Sequence, residues 1–314
     1  MSEKSLLSIC IPTYNREKQL DRLLKSIVSQ EWFTDEVSVV IADWPSKDNT
    51  IELVRGYQKK YNNIKYHRNE ENIWMTKALL EVIWYSDWKY TWLIWSDDQL
   101  AKFSLKQMTD VIKKENPKLL LSNLFPYKSH DQIDKNVAKK GYTSFQWFEE
   151  MAKYMWSDTY NKDVFWYEQH FTFMSVFCFE TMFFRDWLEN VLKKKTKEYI
   201  DSNYFNYIYV LYNFLWINKV VLFDGCFILL YMRNTTMWRP NLKIYKDIKD
   251  LFSMINDNYS LDNNFLRFEK KISSYIKHAM KKWKLIVPIV VFLQKIWLYK
   301  IFSYLRRKYI LKTI

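Results

Sequence analysis

An α/β fold, with a mostly parallel sheet flanked by helices and a helical C-terminal extension, is what this sequence predicts. Three observations carry that expectation. Short apolar runs alternate with amphipathic stretches through the first hundred residues, and each of three of those runs ends in a polar cluster. Of the 314 residues, 49% are hydrophobic, enough to fill a sizeable core and too many for a disordered chain. Strands alternating with helices argue for parallel pairing through right-handed crossovers. In such sheets ligands bind beyond the carboxyl ends of the strands.

The elements follow in order. Residues 6–11 form a first strand that runs into Pro12-Thr13-Tyr14-Asn15-Arg16, and residues 17–30 show helical spacing through Leu20, Leu23, Leu24, Ile27 and Val28. A second strand over 37–42, rich in β-branched residues, ends in Asp43-Trp44-Pro45-Ser46-Lys47-Asp48-Asn49-Thr50, and a helix over about 50–61 follows. Residues 64–68 read as a third strand and the stretch opening at Asn72 as a helix to about 85. The run Tyr90-Thr91-Trp92-Leu93-Ile94-Trp95 is a buried strand that stops at Ser96-Asp97-Asp98. Two carboxylates on the tip of a stiff strand can hold a divalent cation, because hard cations take oxygen ligands; a plain polar turn is the competing reading.

Further along, the residues are less informative. A strand over 171–180, a helix over 184–195, helical aromatic spacing over 145–156 and 204–216, and a strand pair around Asp224-Gly225 within 220–233 are expected. Aromatic stripes of this kind are read first as core, with acceptor stacking second. Three parts result: residues 1–105, 106–235 and a basic helical region, 236–314.

Charge is unevenly placed. The net charge is +13, yet from Lys270 onward there are twelve Lys and Arg and no Asp or Glu, so the rest of the chain is close to neutral. The strictly apolar run in this tail, about nine residues, falls short of the roughly 20 that span a bilayer. Apolar bulk among lysines fits a helix lying in an anionic membrane surface, ahead of packing on the body. Cys10, Cys178 and Cys226 are far apart and show no metal-ligand spacing, which suggests a reducing compartment without disulfides or zinc. The polar start, Met1 to Ser5, predicts no signal peptide.

Glycine is the anomaly. A usage of about 7% predicts roughly 22 glycines; the chain has three, beside fifteen tryptophans, eighteen together. Trp44, Trp74 and Trp88 fall in turn contexts where glycine's freedom at positive φ would serve. These facts predict a gene that uses UGA for glycine, written here as Trp, against the plainer reading of a Trp-rich protein. Trp92, Trp147 and Trp187 sit in apolar settings and read as genuine. UGG codons at positions 44, 74, 88 and 95 would sink the idea.

The motifs Ser8-Ile9-Cys10-Ile11-Pro12-Thr13-Tyr14-Asn15-Arg16, Asp43-x-x-Ser46-x-Asp48-x-Thr50, Asn72 at a helix start, and Ser86-Asp87-Trp88-x-Tyr90 leading to Asp97-Asp98 stand in order at family-like spacing. Together they resemble the nucleotide-binding half of a family 2 glycosyltransferase with the Rossmann-like GT-A fold. The departures are Trp74 and Trp88 where the family has glycine, and Trp95 where the first carboxylate of its DxD motif often stands. Hexosyl and deoxyhexosyl transferases of surface-polysaccharide pathways often have glycine at that last place.

The resemblance implies residues 1–105 as the nucleotide-sugar half and 106–235 as the acceptor half. It implies Asp97 as the contact for Mg²⁺ or Mn²⁺ and Asp98 as its support or as a group touching ribose or acceptor. Asp43 would hydrogen-bond the base; Pro12, Thr13, Tyr14 and Arg16 would line the nucleoside pocket, and Asn72 and Lys77 would reach the diphosphate or sugar. For an inverting displacement a carboxylate base is needed; Asp201 is the nominee, with Glu168 and His170 behind it, and Arg233 is a further phosphate contact. The implied partners are a nucleotide-diphosphate sugar, a glycan or polyprenyl-linked acceptor and an anionic membrane surface on the cytoplasmic side, with nucleic acid disfavoured. A sugar nucleotidyltransferase lacks support because its Gly-rich phosphate loop is missing; a degenerate nucleotide-binding protein with a basic tail is the other reading.

Overall fold

The structure is a computed structural model that describes residues 6–70, 75–86, 88–127, 141–147, 150, 151, 154, 174–186 and 218–231. All of them lie in the first of two compact units, Met1–Thr236; the second is Met237–Ile314. Among the described residues nine strands make one sheet: β1 (Leu7–Thr13), β2 (Val37–Asp43), β3 (Ile64–Arg68), β4 (Tyr90–Leu93), β5 (Asp98–Leu100), β6 (Leu119–Tyr127), β7 (Tyr142–Trp147), β8 (Phe177–Glu180) and β9 (Asn218–Tyr231). The order across it is β3-β2-β1-β4-β8-β6-β9-β5, with β7 also on β9.

The first four strands are parallel neighbours, β3 on β2, β2 on β1 and β1 on β4. Every residue of β1 and β2 is buried, which is why both read as unbroken apolar runs instead of alternating ones. Helices α1 (Glu17–Val28), α2 (Thr50–Gln58) and α3 (Met75–Trp84) make the crossovers. The apolar stripe of α1 that buries Leu20, Leu23, Leu24 and Ile27 is the one its spacing predicts. Since parallel strands all point one way, the polar clusters after β1, β2 and β4 come to one edge. Register makes this concrete: Thr13 lies beside Asp43, and Asp43 beside Arg68.

Beyond β4 the pairing changes. β8 is antiparallel to both β4 and β6, and β5 and β7 are antiparallel to β9, while β6 and β9 are parallel. The sheet is therefore mixed in its second half, where antiparallel neighbours need no helical crossover. Helix α4 (Ser104–Glu115) lies between β5 and β6 and is bounded by left-handed residues, Phe103 (φ 67°) and Asn116 (φ 45°).

Three expectations are corrected here. The pair of strands around Asp224-Gly225 is one strand, β9, which pairs β7 through Asn218–Phe223 and β5 through Ile228–Leu230. Its ladder to β6 shifts register near Asn123 opposite Cys226; a local irregularity of this kind bends a strand without ending it. Residues 145–147, placed in a helix by aromatic spacing, belong to β7, which pairs with β9, and Tyr142 of the same strand meets Phe223 edge-on. Strand β8 begins only at Phe177, behind a 3₁₀ turn at Met174–Val176.

Candidate active site

The loops after β1 and β2 are laced to each other. The Asn15 N–H donates to Ser46 Oγ (2.9 Å), and the Lys47 N–H donates to Asn15 Oδ1 (2.7 Å). Asn15 reaches this position with φ 50°, a left-handed conformation that asparagine tolerates better than most residues. Asp48 adds a third tie: it accepts from the Glu17 N–H (3.0 Å) at the start of α1 and from the Thr50 hydroxyl (2.6 Å) at the start of α2. Burial works against its charge, but the bonds from Thr50 and from the Glu17 and Thr50 N–H groups outweigh it and hold its pKa below the ordinary value. These ties make a stiff mouth.

Asp43, at the tip of β2, is fully buried. Ser46 Oγ donates to one of its oxygens and the Tyr66 hydroxyl to the other at 2.6 Å. Burial, then the Asp43 charge, raise the Tyr66 pKa, so the phenol stays a donor. Arg68 Nη2 closes the loop onto Ser46 O (3.1 Å). Asp43 is thus a buried acceptor already engaged by the protein on both oxygens, and any ligand contact uses its remaining lone pairs. Around it stand Thr13, whose Oγ1 is buried, and Trp44, 8% exposed with its Nε1 buried; among the described residues neither atom finds a hydrogen-bond partner. Tyr14 faces Trp44, ring centroids 6.4 Å apart and tilted by 39°. Buried polar atoms without partners are uncommon, and two at adjacent strand tips fit a polar ligand such as a nucleoside.

The acidic turn follows β4. It is closed by the Asp98 N–H donating to Trp95 O (3.0 Å), and its two carboxylates part company. Asp97 points out, its side chain 26% exposed, and Arg16 Nη1 binds its Oδ2 at 2.7 Å. Asp98 points in, 2% exposed, and accepts from the Ser175 hydroxyl. Burial first, and then the neighbouring Asp97 charge, push its pKa well above the carboxylate range. Asp98 is therefore packed into the turn and tied there to Ser175.

Ser175 is the residue that sequence reasoning missed. Besides Asp98 it accepts the Trp95 N–H on Oγ (3.0 Å), and its carbonyl accepts Trp92 Nε1 (2.9 Å). Its only sequence signal was a lone Ser in an aromatic run, eighty residues from the turn it holds. Trp92 is wholly buried, as its setting predicts. None of the described tryptophans has a positive φ.

Of the expected site residues, Pro12, Thr13, Tyr14, Arg16, Asp43, Asp97 and Asp98 gather at this edge. Asn72, Asp201, Glu168, His170 and Arg233 lie outside the described residues, as does the side chain of Lys77. Among the described residues no group of three or more metal-ligating side chains exists. Asp97 alone fits a Mg²⁺ or Mn²⁺ that takes most of its other ligands from a donor's phosphates and water, the usual habit of Mg²⁺ at nucleotide sites.

The profile of Glycosyl transferase family 2 matches residues 8–192, more than half of the sequence. The chain belongs to that family. Among relatives of this family 2 glycosyltransferase, the abequosyltransferase RfbV of Salmonella typhimurium is 41% identical over 101 residues, 32% of this chain and 30% of that protein. The poly(ribitol-phosphate) beta-N-acetylglucosaminyltransferase TarS of Staphylococcus aureus is 30% identical over 115 residues, 36% of this chain and 20% of that one. The matches thus span less than a third of either relative. In fold, residues 1–349 of TarS in complex with UDP-GlcNAc superpose with a TM-score of 0.55 at 17% identity, covering 87% of this chain and 72% of that one. A mannosyltransferase from Pyrobaculum calidifontis in complex with GDP-Man and Mn²⁺ gives 0.56 at 10% identity, covering 98% and 88%. The GT-A architecture expected from the motifs is the one observed.

Proposed function

We propose that this family 2 glycosyltransferase moves a hexosyl or deoxyhexosyl group, with inversion, from a nucleotide-diphosphate donor to a glycan or polyprenyl-linked acceptor. The observation that carries the reading is the placement of Asp97 and Arg16 side by side beyond β4 and β1, next to the buried Asp43, Thr13 and Trp44 cluster. The nucleoside would lie over Tyr14 and Trp44, with Thr13 Oγ1 and Trp44 Nε1 supplying hydrogen bonds to it and Asp43 accepting an N–H of the base. Arg16 would meet the diphosphate, where a planar guanidinium is a strong partner for phosphate oxygens. A bound Mg²⁺ or Mn²⁺ would supply Lewis-acid neutralisation of the charge that grows on the leaving phosphate. Asp97 would hold that cation, and Asp98 with Ser175 would keep Asp97 in place. Asp201 would take the proton of the attacking acceptor hydroxyl.

Two findings outside the chain support the donor class: the solved relatives of the same fold are complexes with UDP-GlcNAc and with GDP-Man and Mn²⁺. The basic tail from Lys270 supports a place on the inner, anionic face of the membrane; among the described residues no helix is long and apolar enough to cross one. The experiment is a donor-hydrolysis screen over nucleotide sugars, with and without Mn²⁺, on the protein and on Asp97→Ala. At least one donor should be hydrolysed only with the metal, and Asp97→Ala should lose about 100-fold or more, the scale on which removal of one transition-state charge contact acts. Equal rates in both proteins would remove Asp97 from the site.

A further inference from the structure

We propose that Arg16 is a latch on the cation position: its guanidinium holds Asp97 in the ligand-free protein and leaves it for the donor's diphosphate, so that the divalent cation enters only together with nucleotide. The proposal rests on the reading of Asp97 as the cation-binding carboxylate. It adds a residue that decides when that carboxylate is available.

Three observations build it. Asp97 sits beside a second carboxyl, that of the buried Asp98, and among the described residues its cationic partner is Arg16, with Nη1 at 2.7 Å from Asp97 Oδ2. A positive charge thus already stands where a metal would compensate the acidic turn. The contact is a single one between side chains 31% and 26% exposed, the kind of ion pair that opens at little cost. Arg16 is also the residue that precedes α1, and its side chain makes no capping bond to that helix. Among the described residues its side chain bonds only Asp97, and a guanidinium has five N–H donors in a fork suited to two phosphate oxygens at once.

These facts set the direction of exchange. A dianionic or trianionic diphosphate offers the guanidinium a bidentate partner in place of a monodentate one, and the carboxylate it leaves becomes free to bind Mg²⁺ or Mn²⁺ on its exposed side. A cation arriving alone meets a carboxylate already neutralised and a guanidinium that repels it. Cation and nucleotide then bind with positive coupling, and by linkage each raises the other's affinity by the same factor. Replacing Arg16 with a neutral side chain removes the latch and most of that factor.

The test is Mn²⁺ binding to the full-length protein, read by the loss of the free-ion paramagnetic resonance signal, alone and with UDP, GDP, CDP or dTDP. The unaltered protein should bind Mn²⁺ at least about tenfold more tightly with the matching nucleoside diphosphate than without it. Arg16→Gln should bind Mn²⁺ alone about fivefold more tightly than the unaltered protein, and the gain on adding nucleotide should shrink by a similar factor. Circular dichroism on both proteins shows that α1 and the fold are kept. An Arg16→Gln protein whose affinity for Mn²⁺ alone is unchanged, or whose gain on adding nucleotide is undiminished, overturns the latch. Asp97→Asn separates the two levels: if it leaves nucleotide-dependent Mn²⁺ binding intact, the cation assignment itself fails, and if it abolishes binding while Arg16→Gln changes nothing, only the latch does.

Discussion

Ser175→Ala is the substitution whose cost can be worked most directly from the contacts. The hydroxyl serves two groups at once, donating to the carboxyl of Asp98 and accepting the N–H of Trp95. Asp98 is 2% exposed, so water cannot take over the lost bond without opening the turn. Leaving one buried polar group unsatisfied costs about 1–3 kcal/mol. Trp95 is half-buried and recovers part of its loss from solvent, so the two together come to about 2–4 kcal/mol. For a domain of this size that is a fall in Tm of roughly 4–16 °C, at about 2–4 °C per kcal/mol.

Asp97 rides on the same turn, and if it holds the cation as proposed, a displacement of about 1 Å there can cost on the order of 100-fold in rate. Urea denaturation of the four proteins in the Ser175→Ala and Asp98→Ala cycle measures the coupling, expected at about 1 kcal/mol or more within the range for residues in contact. A loss in Ser175→Ala of less than about 0.5 kcal/mol, or strict additivity in the cycle, would show that the hydrogen bonds do not hold the turn.

Two other outcomes are expected. Asp98 has its pKa raised by burial, so the folded protein holds this proton more tightly than the unfolded chain, whose Asp titrates near about 3.9. Its contribution is therefore greatest at and below that pH and declines as pH rises through the higher folded value. Asp98→Asn should gain stability relative to the unaltered protein as pH rises above about 4, and parallel stability curves for the two proteins would refute the burial argument. Deletion of residues 281–314 should release the protein from sedimenting phosphatidylserine vesicles while the unaltered chain co-sediments at low salt; equal sedimentation would take the tail out of membrane binding.

The parallel half of the sheet was legible because its physics is local. A strand buried on both faces must be apolar throughout, as β1 and β2 are, and the helix between them must keep a 3.6-residue stripe, as α1 does. The tips of those strands were legible for the same reason, since a polar cluster that ends a buried run has nowhere to go but the edge. What escaped was set by partners distant in sequence. Residues 145–147 look helical by spacing, yet they pair with β9 more than seventy residues on. The strand β9 reads as a hairpin because Asp224-Gly225 is a turn dipeptide, and it is its pairing with β6 on both sides of that dipeptide, with β7 and β5 on the antiparallel side, that keeps it extended. Ser175 carries no motif, and its role exists only because β8 packs between β4 and β6. At Asp43, the sequence marks an acidic residue at a strand tip; that Ser46 and Tyr66 already occupy both its oxygens is a fact of packing.

The lacing of the mouth has a consequence for how such a protein can change over time. Asn15, Ser46, Lys47, Asp48 and Thr50 bind one another and the backbone, whereas Tyr14, Arg16, Trp44 and Asp97 make few or none of those ties. Frame and face are carried by different letters, interleaved one or two apart along the same loops. If the proposed donor site is right, drift at Tyr14 and Trp44 would retune which donor is preferred at small cost to folding, while a single loss in the frame would loosen every facing residue together. Lineages descended from such a chain would therefore diversify in appetite long before they diversify in shape.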